Sequence, residues 1–272
     1  MVRGGDDRGV LPLAALVTAA AVLGLAVGSF LNVVVWRVPR EASLVPRSAC
    51  PRCGHRIRAR DNVPLLSWVL LRGRCRDCGA AISTRYPLVE AATAALFAGA
   101  AALLGPSWAL PALLYLVAVA VALTLIDLDV HRLPDAIVLP AYPVGAALLV
   151  LASANPGGEP AWGALARAAA GGAGLLLLYL VIALAYRGGM GLRDVKLAGV
   201  LGMFLAWFGW DALAVGAFAA FLLGGALALV LLATGRARRG TGIPFGPWML
   251  AGALLGIAVG GPVADWYLGL LT

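Results

Sequence analysis

Runs of Leu, Ala, Val and Gly, mostly near 20 residues long and nearly free of charge, alternate with short polar connections along this 272-residue chain. Such a run matches a helix crossing a hydrocarbon core about 30 Å thick. In lipid, only a helix satisfies every backbone N–H and C=O from within its own segment. The pattern predicts about eight spans, at approximately 11–35, 87–105, 108–126, 136–154, 162–186, 196–210, 212–234 and 246–271. The sixth is short, which leaves room for a tilted, broken or re-entrant segment. The first follows a charged N-terminus, but its apolar run exceeds an ordinary signal-peptide core and no small-residue cleavage site follows. It reads as a retained helix.

Composition strengthens this picture. Hydrophobic residues make up 62% of the chain and charged residues 12%, against about 45–50% and about 25% in soluble domains. Mean hydropathy is +0.93. A soluble fold would need one oversized core and almost no surface, so that class is excluded. The net charge of +8 is not spread evenly: the loop 36–86 carries eleven arginines against three acids. Further basic connections lie at Asp127–Asp135, Arg187–Lys196 and the "RARR" run Arg236–Arg239. With eight spans, all four fall on one side, and the near-neutral "GPSW", "NPGGEPAW" and "GWD" connections fall on the other. Because Lys and Arg accumulate in cytoplasmic loops, the arginine-rich side is expected to be cytoplasmic, with both termini outward. A nucleic-acid partner is not expected, since the arginines have no stacking aromatics among them beyond Trp68.

All four cysteines lie in that basic loop, as Cys50-Pro-Arg-Cys53-Gly and Cys75-Arg-Asp-Cys78-Gly. In a reducing compartment, paired Cys-x-x-Cys spacings favour metal over disulfides. The two-residue gap lets both thiolates of a knuckle face one ion, and the following glycine permits a turn with positive φ. Four thiolates complete the closed tetrahedral set of a structural zinc site. The loop is too small to bury much core, so a metal staple is physically reasonable. His55 reads as a surface neighbour, not a fifth ligand. The expected fold class is therefore an all-α polytopic membrane protein of about eight transmembrane helices with a small cytoplasmic zinc-knuckle insert.

Two acidic clusters stand out from carboxylates that loops and span ends readily solvate. "LTLIDLDVHRLPD" places Asp127, Asp129 and Asp135 at the end of the third span, and "GGMGLRDVKLAG" places Asp194 before the sixth. Ionisable groups at membrane depth are costly and mark reactive sites or pathways. Two carboxylates sharing a partly dry pocket cannot both ionise easily, so one keeps a proton while the other activates water. The residues alone fit a second account equally well: caps and salt bridges for Arg132, Arg193 and Lys196. Asp135 is expected to cap a helix after Pro134. Asn32 fits an interhelical hydrogen bond, and the Gly runs at 171–174 and 224–225 fit close helix contacts. A non-enzymatic scaffold docking a partner through its zinc knuckle, or a transporter using the aspartates as ion sites, remains open at this level.

In order, "GSFLNVVVWRVPR", the two knuckles around "NVPLLSWVLLRGRC", "ISTRYPLVE", "IDLDVHRLPD", "GMGLRDVKL" and "IPFGPWM" cover most of residues 24–250. The chain resembles the bacterial type IV prepilin peptidases, the leader peptidase/N-methyltransferases of pilus and type II secretion systems. The resemblance implies an eight-helix membrane aspartyl protease in the bacterial cytoplasmic membrane. Its substrates would be prepilins or pseudopilins, cut after a glycine where a basic leader meets an apolar helix. Position by position, Asp127 matches the first catalytic aspartate and Asp194 the second, with Asp129 the alternative to Asp127. The family's Gly-x-Gly-Asp signature is broken here, because Arg193 stands in the third place. The resemblance also implies N-methylation of the new amino terminus with S-adenosylmethionine, associated with the Cys50, Cys53, Cys75 and Cys78 loop. No Gly-x-Gly-x-x-Gly fingerprint marks a Rossmann-type methyltransferase domain. The implied organisation is a first helix (1–35), the cysteine loop (36–86) and a seven-helix peptidase part (87–272).

Overall fold

The computed structural model describes residues 7–45, 48–185, 190–236 and 244–271. The described α-helices are α1 Asp7–Arg37, α2 Leu66–Leu70, α3 Arg85–Leu104, α4 Leu110–Val130, α5 Asp135–Ala154, α6 Trp162–Ala185, α7 Leu192–Phe208, α8 Trp210–Ala233 and α9 Gly246–Gly269. Among the described residues, seven helices are long and apolar enough to cross a membrane. The expected sixth span is α7, a single unbroken helix of 17 residues. At 1.5 Å per residue it reaches roughly 25 Å, short of the hydrocarbon thickness. It is also among the most enclosed helices, with ten of its residues buried.

The chain divides into two compact units, Met1–Ala122 and Leu123–Thr272, with the boundary inside α4. In the first, α1 and α3 approach closely at Gly24 and Gly28. A Cβ at Gly24 would meet the Ala94 Cα at 2.7 Å, and one at Gly28 the Glu90 Cα at 2.8 Å. Small residues allow this approach where water supplies no drive for helix association. Asn32 Nδ2 donates to the Tyr86 carbonyl at 3.2 Å, the interhelical bond expected of it. Between the two helices the chain forms the cysteine insert, with isolated bridges Ala49–Arg56 and Arg74–Ala81 and the short α2.

In the second unit, α7 packs along α6 and also meets α5, α8 and α9. Gly171 and Gly172 face α7 backbone, as expected, with Cβ positions 3.0 Å from the Gly202 carbonyl oxygen and 3.2 Å from that of Gly199. The expectation fails for Gly174 and Gly225, which have nothing within 4 Å. They face outward from their helices because adjacent positions on a helix point in different directions. Both ends of α7 are tied. Tyr142 donates to the Lys196 carbonyl at 2.6 Å, Arg167 donates to the Ala206 and Trp207 carbonyls, and the Trp207 indole donates to Ser153 Oγ at 2.8 Å. The expected basic positions Arg187, Arg238 and Arg239, and Ile243 of the "IPFGP" break, lie outside the described residues.

Candidate functional site

The second unit holds both aspartates singled out from the sequence. Asp127 lies in the last turn of α4 and is 5% exposed. The helix stops just beyond it: His131 takes φ +52° and its N–H returns to the Asp127 carbonyl at 2.9 Å. Asp129, two residues further along the same turn, is exposed. Asp194 lies in the first turn of α7 and is half-buried, and its Oδ2 accepts the Gly191 N–H at 3.1 Å. The two carboxyl groups are close enough to interact electrostatically. Asp135 is not the helix cap expected of it. Pro134 occupies the cap position and Asp135 the first helical one, where its carboxylate bridges Lys196 Nζ at 2.8 Å. A proline fixes the extended entry to α5 without a side-chain cap, leaving Asp135 to pair across to α7. Arg193 is exposed at the start of α7.

The sequence reading missed Gly246. As the first residue of α9, it brings backbone against Asp127; a Cβ there would lie 2.7 Å from Asp127 Oδ2 and 3.1 Å from Leu133. Its backbone N–H also interacts with that carboxylate. Each aspartate thus meets the start of a helix, Asp194 in α7 and Asp127 against α9, where unsatisfied N–H groups carry partial positive charge. The start of α9 is held by the mutually tilted rings of Tyr179, Phe221 and Phe245, with centroids 5.3–6.4 Å apart. Tyr179 is 1% exposed and within electrostatic reach of Asp194. The "FGP" string was the available signal, but read alone it looks like a chain break.

The first unit brings all four cysteines together. The Sγ atoms of Cys50, Cys53, Cys75 and Cys78 lie within 4.8 Å of one another, with Cys50 and Cys78 at 3.8 Å. A tetrahedral ion with Zn–S bonds near 2.3 Å sets its sulfurs about 3.8 Å apart, whereas a disulfide needs about 2.05 Å. The knuckles repeat each other. Cys50 N–H bonds the His55 carbonyl and Gly54 N–H the Cys50 carbonyl; Cys75 N–H bonds the Ala80 carbonyl and Gly79 N–H the Cys75 carbonyl. Gly54 and Gly79 take φ +72° and +70°, the left-handed turns their positions require. Backbone N–H groups of Cys53 and Arg52 pull the Cys50 thiol down to about 6. At Cys53 the His55 N–H pulls the same way, but burial and the neighbouring thiols win and push it up to about 12. The four thiols therefore fit one metal ion. His55 is 70% exposed and reaches Asp77, not the sulfurs.

These features define a polytopic helical membrane protein with a buried acidic site and a separate four-cysteine cluster. The bacterial peptidase A24 N-terminal domain matches residues 22–104, and the type IV leader peptidase family matches residues 113–232. A prepilin leader peptidase/N-methyltransferase of Burkholderia pseudomallei (strain 1026b) is 41% identical over 286 residues, covering 93% of this chain and 88% of its own length. Proteins of the same name from Aeromonas salmonicida (strain A449) and Pseudomonas aeruginosa are both 38% identical, covering 90% and 93% of this chain and 91% and 94% of their own. The chain belongs to the type IV leader peptidase family. No solved structure matches it.

Proposed function

We propose that this protein is a membrane aspartic endopeptidase that removes the leader of a prepilin or pseudopilin after a glycine, and then N-methylates the new amino terminus. The observation that carries the reading is Asp127, a carboxylate buried at the end of a membrane helix, within electrostatic reach of Asp194 and lying beside a close glycine approach from α9. Asp127 and Asp194 would share one proton and hold a water. The ionised carboxylate takes a proton from that water as its oxygen attacks the scissile carbonyl, and the protonated one donates to the carbonyl oxygen. As the C–N bond breaks, the departing nitrogen takes up a proton from the pair, and a hydroxyl of the tetrahedral diol returns one to the pair as the carbonyl re-forms. Glycine at the cut leaves space for both carboxylates. The arginine-rich connections would face the cytoplasm, placing the pair where a basic leader gives way to an apolar helix.

The four cysteines would hold a structural zinc ion, leaving no open coordination position for chemistry. The arginines around them are accounted for by topology, and lipid surrounds the helices. The test for the peptidase reading is prepilin cleavage in membranes carrying Asp127→Asn or Asp194→Asn. Turnover that survives in either variant would remove the pair from the mechanism.

A further inference from the structure

The first unit contains a cavity of about 560 Å³ between α1, the cysteine insert and the start of α3. That volume is in the range of small-molecule sites, roughly 300–1,000 Å³. Its wall includes Ser29 and Asn32 of α1, Trp68 of α2 and Glu90 of α3, none of which leader cleavage uses. Glu90 is 8% exposed, and acidic side chains are almost never so buried without a partner of opposite charge. Here its Oε2 accepts the Leu65 N–H at 2.8 Å, and no cationic side chain pairs with it among the described residues.

The bond to Leu65 is itself unusual. Leu65 takes φ +59° and ψ −52°, and the Leu66 N–H reaches the Pro64 carbonyl at 2.6 Å. This is a three-residue turn of the rare, strained hand. Strained backbone persists where surrounding structure enforces it, and it clusters at ligand sites. Glu90 therefore pins a strained turn into the cavity wall while bringing a negative charge there. Other acids near the insert are already matched, Asp61 by Arg76 at 2.6 Å and Asp77 by Arg58 at 3.0 Å.

We propose that this cavity binds the methyl donor S-adenosylmethionine, with Glu90 as counter-charge to its sulfonium. The inference rests on the N-methyltransferase reading. When bound, the donor supplies an electrophilic methyl group on a positively charged sulfur. The chain's residues match its three parts. Glu90 offers a buried negative charge to the cation. Trp68, whose indole N–H is already spent on the Ile82 carbonyl at 3.2 Å, offers a flat ring to adenine. Arg56, exposed at the cavity wall, suits the donor's own carboxylate.

Binding to the full-length, detergent-solubilised protein, measured by calorimetry, tests the assignment. Glu90→Gln keeps an acceptor for Leu65 and removes the charge. It is expected to weaken S-adenosylmethionine and the cationic analogue sinefungin by about tenfold or more, and S-adenosylhomocysteine, which lacks the sulfonium, by less than about threefold. Ser29→Phe, which fills the cavity from α1, is expected to weaken all three, with a melting curve that confirms folding. Undiminished S-adenosylmethionine binding in both variants, or an equal loss of the charged and uncharged ligands in Glu90→Gln, would overturn the assignment. Wild-type protein that methylates cleaved pilin while the variants bind normally sinks the cavity alone. Wild-type protein that neither binds the donor nor methylates sinks the methyltransferase reading with it.

Discussion

The cysteine insert and the aspartate site are held together by opposite means. The insert, outside the apolar spans, has no long helix and little enclosed core; two tight knuckles bring four sulfurs to one point. The aspartate site is built in helices whose outward surface is itself apolar. It is positioned by glycine contacts, by the ties at both ends of α7, and by a ring cluster at the start of α9. In water a small module needs a metal to replace a missing core. In lipid, burial of apolar surface gives helices no preference for each other, so close backbone packing and polar ties must supply it.

The contrast can be broken in stages. Neutralising Asp127 or Asp194 as asparagine is expected to lower leader cleavage roughly 10²–10⁴-fold, with the metal content of purified protein unchanged. Metal loss in those variants would show that the two regions are not held independently. Removing the metal by chelation, or replacing Cys75 with Ser, acts on the other side. Structural zinc contributes about 10–16 kcal/mol in isolated finger peptides. Residues 50–79 are therefore expected to lose hydrogen-exchange protection while α6 and α7 keep theirs.

Smaller changes sharpen the same comparison within the aspartate site. Gly246→Ala drives a methyl group against Asp127 Oδ2 and is expected to reduce cleavage by roughly ten- to a hundredfold, since small misplacements of a catalytic group are costly. Its melting temperature should fall as well, because the added methyl overpacks a buried position against Asp127 and Leu133, at a cost of about 1–3 kcal/mol. Asp135→Asn breaks the bridge to Lys196, whose partners are 51% and 40% exposed. Exposed pairs contribute about 0–1 kcal/mol, so only a slight fall in the melting temperature is expected. A large loss of cleavage in Asp135→Asn would instead make Asp135, not Asp194, the partner to examine.

Much of this was legible in the chain itself. Apolar run length placed every long helix, because the bilayer fixes how much sequence a span requires. The knuckles were legible because all their determinants are local: two cysteines, a two-residue gap and a glycine with positive φ. Asp127 and Asp194 stood out as acids where lipid makes acids expensive, and the family resemblance agreed. Tertiary structure decided the rest. Gly246 lies 119 positions after Asp127 in the numbering, and nothing local to "FGP" says which side chain it will meet. Glu90 reads as one more acid near a helix start until the fold buries it beside a strained turn. Asp135 passed for a cap because its partner, Lys196, is on another helix. Periodicity and spacing encode what a segment does with its own backbone; the neighbours of a side chain follow only from how the helices pack.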